Sequence, residues 1–468
     1  MPQRHLAWLI IAPVAVLFTA IWSATAPLPE KDYQRLSSIV EVLAEIDKSY
    51  YRELTDEEKK KIVEGMIQGG LDKLDPYSEY FDEERLKQFN AENKGVFGGI
   101  GAYLGVDPKT GLLIIDTPMP DGPAIEAGLL AGDVILKIDG KDVIVGETDS
   151  ARAAIKGEPG TKVTFTIGRG DKIFDVNITR AIIQIQAVKG WRRLEGDGKP
   201  WNFILDGDPK IAFIRLNEFS EKAHDETKAA LKAADEAGAE AIILDMRGNG
   251  GGLLTMAEKV SDLFLADGVI VRTRDRFDLG KDTKAKNDGS VWESPAKRPM
   301  AVLVNRGSAS ATEIVAAALQ DNGRAAIVGE RTYGKGSVQR SILSPDEKTA
   351  IKITTQIWLT PKGKHIDRGV VLTAAEAKDA NRNKDDYGVA PDAGLAVPMK
   401  EDEVIQSILY WGEVERGRNP ADFKPLSPNG PKLDPKFRDP VVEKAKEHIE
   451  AELKRLKTAK LLDRSKPS

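Results

Sequence analysis

The spacing of hydrophobic residues divides the chain into regions with different structures. Between residues 30 and 93 apolar residues recur at helical spacing, as at Ile39, Leu43 and Ile46, which predicts an N-terminal helical region. From residue 94 to residue 188 the pattern changes to short alternating runs between glycine turns. Such runs predict half-buried strands, so we expect a strand-rich domain after the helices.

From residue 189 to residue 398 apolar strands alternate with helical patterns. Residues 211–216 predict a strand, residues 221–237 predict a helix, and residues 241–245 are apolar enough for a strand buried on both faces. This alternation predicts an α/β layer whose functional loops leave the carboxyl ends of the strands. Residues 399–468 are rich in lysine, glutamate and proline and predict a charged, largely helical region. We expect that region to be solvated or to contact a second copy of the chain.

The N-terminus carries an uncharged apolar stretch between residues 6 and 29, preceded by Arg4. The stretch is long enough to span a bilayer, and Arg4 would then stay in the cytoplasm. Residues 24–26 read Ala-Thr-Ala, as at a signal-peptide cleavage site, but Pro27 would follow the cut. We predict a signal peptide or membrane anchor over residues 1–29, and we favour the anchor. The rest of the protein would then be exported to the periplasmic or another extracytoplasmic side.

Composition narrows the chemistry. The 468 residues carry a formal net charge of −5 and no basic stripe interleaved with aromatic residues, so we expect no nucleic-acid partner. The absence of cysteine excludes disulfides, thiolate catalysis and cysteine-ligated metals. Four scattered histidines argue against a histidine-rich metal site, and we predict neither a metal nor a cofactor.

Two short motifs could build a hydrolase without histidine. Residues 307–313 read Gly-Ser-Ala-Ser-Ala-Thr-Glu, and residues 334–336 place Lys335 between two glycines. Only His224 and His365 could serve a Ser-His-Asp triad, but they fall on a predicted solvated helix and in a polar loop. A serine–lysine pair is a known variant of the same chemistry.

Each motif also has a structural interpretation. Ser310 and Glu313 fit an S-x-x-E capping box at the start of a helix, and a capping hydroxyl is not free to attack a substrate. Ser308 could supply the cap instead. A lysine beside glycine is most often part of an exposed turn, so neither motif decides the function alone.

The strand-rich region resembles bacterial PDZ domains. The resemblance rests on residues 128–135, Gly-Leu-Leu-Ala-Gly-Asp-Val-Ile, and on residues 157–160, Gly-Glu-Pro-Gly. It implies that an extended peptide adds as a strand and that its carboxylate binds backbone N–H groups of a glycine-containing loop. By resemblance that loop contains Phe97, Gly98, Gly99 and Ile100.

The chain as a whole, between residues 31 and 398, is similar to the carboxyl-terminal processing peptidases, also called tail-specific proteases. The resemblance rests on motifs that occur in the family's order, at residues 74–78, 214–219, 244–254, 305–314, 329–339 and 360–363. It implies an α/β protease core with an inserted PDZ domain of α+β class and an N-terminal helical segment.

The resemblance also implies the roles of individual residues. Ser310 would be the nucleophile, Lys335 the base and Gln339 the third member of the catalytic group. The backbone N–H groups of Gly251 or Gly252 and of Ala311 would bind the oxyanion. Asp245 and Arg247, in the same stretch as the glycines, are expected to be structural, as a buried pair.

The proposed base has to be neutral. A lysine with its ordinary pKa of about 10.4 is protonated at neutral pH and cannot accept the serine proton. Burial lowers that pKa by disfavouring the charged amine, and a shift of about three units corresponds to about 4 kcal/mol. Gln339 could position the amine without adding a negative charge, which would raise the lysine pKa.

One departure from the family pattern stands out. A polar insertion at about residues 372–386 separates the Thr-Pro-Lys-Gly segment from Gly-Val-Ala-Pro-Asp at residues 388–392, and we expect it to loop out at the surface. With this exception the sequence predicts an exported serine endopeptidase that captures the free C-terminal tails of proteins or peptides and cleaves them. A second copy of the chain is a candidate partner, in a homo-oligomer. The alternative is a non-catalytic PDZ scaffold or substrate adaptor on a protease-like fold.

Overall fold

The computed structural model describes most of the chain beyond residue 29. The described residues are 30–106, 111–119, 122–130, 132–145, 148–194, 200–286, 298–373, 376–379, 383, 385–415, 417–423 and 432–464. The chain divides into two compact units, and the second begins at Leu71. The first unit ends at Gly70 and contains helix α1, Glu30–Ser49, and nearly all of helix α2, Asp56–Leu71.

The predicted membrane anchor over residues 1–29 lies outside the described residues. Among the helices that the structure does describe, none has the length and apolar character needed to cross a bilayer. On this finding the prediction of an exported protein anchored by a transmembrane segment is wrong.

A short strand interrupts the region that the sequence predicted to be helical. Strand β1, Glu79–Phe81, precedes helix α3, Glu83–Asn93, whose first turn is capped by the Asp82 carboxylate accepting the N–H of Arg85 at 2.8 Å. Strand β1 pairs with residues 350–352 in antiparallel register and buries Phe81 completely. This long-range pairing explains why local spacing did not predict the strand.

A strand-rich domain follows. Its elements in chain order are β2 (Val96–Gly99), β3 (Ala102–Val106), β4 (Leu113–Pro118), α4 (Pro123–Glu126), β5 (Val134–Ile138), β6 (Lys141–Asp142), α5 (Thr148–Ile155), β7 (Lys162–Arg169), β8 (Lys172–Thr179) and β9 (Ala181–Gln184). The main antiparallel sheet has the order β3-β4-β5-β7-β8, with β6 beside β5, and β2 pairs separately with β9. Strand β3 therefore lies at an edge, and no strand among the described residues covers its outer side.

The α/β core begins after this domain. Its elements are β10 (Val188–Lys189), β11 (Arg192–Arg193), β12 (Trp201–Asn202), β13 (Ile211–Leu216), α6 (Ala223–Glu236), β14 (Ala241–Asp245), α7 (Leu254–Asp262), β15 (Val269–Asp275), β16 (Asp282–Lys284), β17 (Met300–Val304), α8 (Ala311–Asp321), β18 (Ala326–Gly329), β19 (Ser337–Leu343) and β20 (Ala350–Leu359). The central sheet has the order β10-β13-β14-β17-β18, and its last four strands are parallel. A second, antiparallel sheet has the order β1-β20-β15-β16, with β19 also paired to β20.

The central strands are buried on both faces, as their continuous apolar runs predict. In β13, Ala212 and Ile214 pack into the hydrophobic cluster formed with α6, α7 and α8. Ile211 and Phe213 point the other way, into a second cluster. The sheet is thus the middle layer of three, and its carboxyl edge carries the loops of the site.

The C-terminal region forms the third layer. Helix α9 spans Glu401–Glu415 and helix α10 spans Pro440–Arg464. Trp411 of α9 and Val441, Ala445 and Ile449 of α10 are buried in the second cluster against the sheet. The expectation of a solvated C-terminal helix is therefore wrong for this inner face, because the sheet needs an apolar cover on both sides.

Candidate active site

Ser310 occupies a strained position at the start of helix α8. It is the N-cap residue, with φ 58° and ψ −117°, in the positive-φ region that residues with a side chain rarely adopt. Such a conformation costs about 1–3 kcal/mol and tends to occur at functional sites. Ser310 and Glu313 have the arrangement of a capping box, in which the Glu313 carboxylate accepts the Ser310 N–H, although the Ser310 hydroxyl makes no capping hydrogen bond of its own within the described residues.

Ser308 does not cap the helix either. Its side chain is completely buried, its hydroxyl donates to the carbonyl oxygen of Met246 at 2.9 Å, and its oxygen accepts the N–H of Asn305 at 3.0 Å. Ser308 therefore ties the turn after β17 to the end of β14. The expectation that it is the capping residue is wrong.

Glu313 connects the two halves of the site. Its buried carboxylate accepts the backbone N–H of Ser310 at 2.8 Å and those of Gly334 and Lys335 at 2.7 and 2.8 Å. The hydroxyl of Thr332 donates to it as well, at 2.5 Å. Burial raises the pKa of the Glu313 carboxyl, while these four donors oppose the shift. One side chain thus fixes the backbone of Ser310 relative to that of Lys335.

The Lys335 amine lies in a mostly enclosed position. Its Nζ is 4.6 Å from the ring centroid of Tyr77, a residue of the motif at 74–78. Burial lowers the pKa of Lys335 from its ordinary value, and the positive charge of Lys352 lowers it further. The carboxylates of Asp75 and Glu313 act in the opposite direction. Burial thus favours the neutral amine that a general base requires.

Gln339 lies near this lysine but is anchored elsewhere. A β-bulge between Val338 and Gln339 interrupts the pairing of β19 with β20. The Gln339 amide nitrogen donates to the hydroxyls of Ser337 and Thr354 at 2.9 and 3.0 Å. The sequence predicted that Gln339 would position the Lys335 amine. In the structure its amide nitrogen binds two hydroxyl groups instead.

Among the described residues the loop after β14 and the first turn of α8 each present one free backbone donor. The Gly251 N–H donates to the side-chain oxygen of Asn249 at 2.9 Å, so it is already occupied. Among the described residues the N–H groups of Gly252 and Ala311 have no acceptor. A Cβ placed on Gly251 would lie 2.9 Å from the Cβ of Ser310, which puts this loop against the serine. Within the described residues Gly252 and Ala311, unlike Gly251, therefore have N–H groups that are not already engaged.

Buried polar groups hold this loop in place. The Asn249 carbonyl oxygen accepts the N–H of Ala309 at 3.0 Å, and its side-chain nitrogen donates to Leu216. The predicted buried pair is present, with Arg247 donating to both carboxylate oxygens of Asp245 at 2.9 and 2.8 Å. Arg247 also binds Asp439, at the start of α10.

Most of the predicted catalytic and oxyanion residues line one cavity. It has a volume of about 240 Å³, and Ser310, Lys335, Gln339, Gly252 and Ala311 all line it. Gly251 is not among the residues that line it. Within the described residues no hydrogen bond joins the Ser310 hydroxyl to the Lys335 amine. Catalytic hydrogen bonds are often long in structures without substrate and shorten in the complex.

His365 is buried and oriented, contrary to the polar loop that the sequence predicted. Its Nδ1 lies 2.9 Å from both carboxylate oxygens of Glu376, and its side chain is 6% exposed. Glu376 belongs to the insertion at residues 372–386, so this part of the insertion folds back onto the core instead of looping out. The ring packs against Gly336, but His365 does not line the cavity that holds Ser310.

The predicted carboxylate-binding loop lies apart from this cavity. Phe97, Gly98 and Gly99 belong to β2 and pair with β9. Ile100 is buried and its carbonyl oxygen accepts the N–H of Ala124. Within the described residues its N–H has no acceptor, and it lies just before the edge strand β3.

Sequence reasoning missed four residues that shape the site. Glu313 was considered only as part of a capping box, although it also reaches the Lys335 turn. Asn249, Tyr77 and Lys352 contact or line the site through tertiary packing. The motif that contains Tyr77 was a usable signal, because it belongs to the family pattern and precedes the strand-rich domain.

The chain is similar to known proteins along most of its length. Residues 210–374 match the model of Peptidase family S41, and residues 114–169 match that of the PDZ domain. The carboxy-terminal-processing protease of Bartonella bacilliformis is 35% identical over 423 residues, covering 88% of this chain and 90% of that protein. A probable CtpA-like serine protease of Staphylococcus aureus strain COL is 32% identical over 359 residues, covering 76% of this chain and 67% of that protein.

A solved structure of the photosystem II D1 C-terminal processing protease is 24% identical, covers 76% of this chain and 86% of its own, and aligns with a TM-score of 0.43. The family matches confirm the predicted fold class, an α/β protease core with an inserted PDZ domain. From the match along nearly its whole length, the chain belongs to the carboxy-terminal-processing proteases of peptidase family S41, a serine protease family with a PDZ domain.

Proposed function

We propose that this protein is a serine endopeptidase that cleaves peptide bonds with Ser310 as nucleophile and Lys335 as general base. The observation that carries the proposal is the shared Glu313 carboxylate. This carboxylate binds the backbone N–H groups of both Ser310, whose backbone is strained, and Lys335, whose pKa is lowered by burial. Both residues line the same cavity.

The reaction follows from these positions. The neutral Lys335 amine takes the hydroxyl proton of Ser310 as the Ser310 oxygen attacks the scissile carbonyl carbon. The N–H groups of Gly252 and Ala311 bind the oxygen that becomes negative. Lys335 then returns the proton to the leaving amine, and water hydrolyses the acyl-enzyme by the same steps.

In this scheme Gln339 does not hydrogen-bond the Lys335 amine before the reaction begins. Its amide nitrogen is held by two hydroxyls, which leaves the amide oxygen as an uncharged acceptor. That oxygen can bind the Lys335 ammonium once the proton has been transferred. An uncharged acceptor does this without the large rise in lysine pKa that a carboxylate would cause.

The residues that line the cavity suggest which kind of substrate side chain it binds. Leu254, Ile314, Val338 and Trp358 form an apolar side close to Ser310. A cavity of about 240 Å³ with such a wall suits a small or medium apolar side chain next to the scissile bond.

We also propose that the PDZ domain captures the free C-terminal tail of the substrate. Among the described residues no strand covers the outer edge of β3 and the Ile100 N–H has no acceptor, so an extended peptide could add to this edge and its terminal carboxylate could bind that N–H. Cleavage of one substrate with a free and an amidated C-terminus tests this role. Equal kcat/KM for both forms would contradict it.

The catalytic assignment is tested by cleavage of an apolar-tailed protein with wild type, Ser310→Ala and Lys335→Ala. We expect losses on the order of 10⁶-fold for the serine variant and on the order of 10²- to 10⁴-fold for the lysine variant. Ser308→Ala is the control. It should keep its activity per folded molecule and lose about 1–3 kcal/mol of stability, because the buried N–H of Asn305 loses its acceptor.

Full activity in either the serine or the lysine variant would refute the assignment. Tail binding without any cleavage by the wild type would instead support the alternative of a non-catalytic PDZ scaffold.

A further inference from the structure

A second lysine lines the catalytic cavity. Lys352 lies in β20 and borders the same cavity of about 240 Å³ as Ser310 and Lys335. Its side chain is 23% exposed, so much of the stem and amine is shielded from water. The catalytic scheme gives this residue no role.

The Lys352 amine is held by a defined set of neighbours. Its cross-strand partner is Glu79 of β1, with 3.2 Å between the amine and the carboxylate. The amine also lies 5.3 Å from the ring centroid of Phe81 and 5.8 Å from that of Phe89. Both ring faces favour a cation.

Glu79 is shared between two cations. Its second carboxylate oxygen lies 3.4 Å from the guanidinium of Arg85 in α3. The negative charge of Glu79 is therefore divided, and it only partly compensates Lys352.

The charged and titratable groups around Lys335 come from three parts of the chain, namely β20, α8 and the segment before β1. Lys352 of β20 is the cation among them, while Asp75 and Glu313 supply negative charge. The Tyr77 ring lies against the amine from the segment before β1. Among these groups Lys352 alone disfavours the protonated form of Lys335 by charge.

We propose that Lys352 is a positioning residue that acts electrostatically. Its charge, adjusted by Glu79, favours the neutral form of the Lys335 amine. The inference rests on the proposed function, in which Lys335 is the general base. Paired cations are a known way to prepare a lysine for chemistry at neutral pH.

The sign of the effect is defined. Activity should rise with pH as Lys335 loses its proton. Lys352→Met removes the repulsion, so the midpoint of the kcat/KM profile should move up by about one pH unit, with about tenfold less activity on the rising limb. Activity should return at high pH, where Lys335 is neutral in both proteins.

Two further variants bracket this result. Lys352→Arg keeps the charge and should leave the midpoint in place. Glu79→Gln removes the compensating charge and should move the midpoint down, opposite to Lys352→Met. Lys362→Met is the control for net charge, because Lys362 is exposed and lies outside the cavity.

The decisive measurement is the titration of Lys335 itself. Reaction of its amine with an acylating reagent at a series of pH values, located by peptide mass spectrometry in Ser310→Ala protein, reports its protonation without any cleavage. The titration should move up in Ser310→Ala/Lys352→Met and down in Ser310→Ala/Glu79→Gln. Unmoved titrations, or shifts in the same direction, would overturn the inference.

These readouts separate the two proposals. Retained cleavage by Lys335→Ala would refute the catalytic role of Lys335, while the titration would still decide the role of Lys352. If Lys352 were merely structural, Lys352→Met would lower kcat equally at every pH and leave the midpoint unchanged.

Discussion

At the scale of single residues, Ser310 and Lys335 both occupy positions that cost folding free energy. Ser310 adopts a positive φ with a side chain present, and Lys335 carries its amine into a mostly buried place. Glu313 compensates by binding the backbone of both, although its own carboxyl is buried. Such conflict between stability and function is expected where a reactive group has to be prepared in advance.

Replacement of the lysine should expose this cost. We expect Lys335→Met to raise the free energy of unfolding at pH 7 by on the order of 1 kcal/mol while it abolishes cleavage. The gain should shrink as pH rises from the lowered native pKa towards about 10.4 and disappear above that value, where the lysine is neutral in the folded and the unfolded protein alike. Urea unfolding at pH 7 and at pH 10 measures both values. A destabilised variant at pH 7 would contradict the claim that a charged amine is unfavourable at this position.

At the scale of elements, the loop between β14 and α7 places the proposed oxyanion donor, Gly252, in the cavity that Ser310 also lines. Phe219 binds this loop from both sides, donating its N–H to Gly251 and accepting the N–H of Leu253. Gly252 has φ 143°, and a Cβ there would lie 2.6 Å from the carbonyl oxygen of Phe219. Only glycine fits this backbone path.

Two alanine substitutions in the loop should therefore differ. Gly252→Ala has to displace the Phe219 carbonyl or the loop, and we expect a loss of at least about 2 kcal/mol of stability and about 10²-fold or more in kcat. Gly250→Ala meets no atom within 4 Å and should fold with nearly unchanged stability. Thermal unfolding and kcat of both variants check this. Equal behaviour of the two would show that the loop path is not restricted at Gly252.

Some strands could be predicted from the sequence and others could not. The runs at β13, β14 and β17 could be predicted because burial on both faces demands continuous apolar residues. Strand β1 could not, because its pairing partner lies some 270 positions away along the chain.

The site could be predicted only in part, for the same reason. Ser310 and Lys335 lie in recognisable motifs. In contrast, tertiary packing brings Lys352 and Tyr77 to the site and Glu313 to the backbone N–H of Lys335. The insertion was read as a surface loop because no local pattern shows that Glu376 binds His365.

At the scale of the whole molecule, the C-terminal layer supports the catalytic edge of the sheet. Asp439, at the start of α10, accepts hydrogen bonds from Arg247, from Ser407 at 3.0 Å and from Trp411 at 2.8 Å. Burial alone would raise the pKa of Asp439, but Arg247 and the other donors hold it below its ordinary value. Arg247 lies just before the loop that holds the proposed oxyanion donor, so the Arg247–Asp439 pair joins the C-terminal helices to the site.

Loss of that charge should destabilise the fold. We expect Asp439→Asn to lose about 3–5 kcal/mol at pH 7, since Arg247 keeps a buried charge with one partner fewer. Because the native pKa is lowered, this stabilisation is present above about pH 3.9, the ordinary value, and is lost as pH falls through the native pKa. Urea titration of both proteins at pH 7 and near pH 3 tests the sign.

Asp402→Asn, at an exposed position in the first turn of α9, is the matched control and should change stability by less than about 0.5 kcal/mol. If Asp439→Asn matched this control, the C-terminal layer would not depend on the buried pair.

The central claim is that Ser310 is the nucleophile and that Lys335 activates it. Its most direct test is the site of covalent attachment of a fluorophosphonate, mapped by peptide mass spectrometry in the wild type and in Lys335→Met. We predict one adduct, on Ser310, formed faster as pH rises and abolished in the lysine variant. An adduct on Ser308, or undiminished labelling of Ser310 in Lys335→Met, would contradict it.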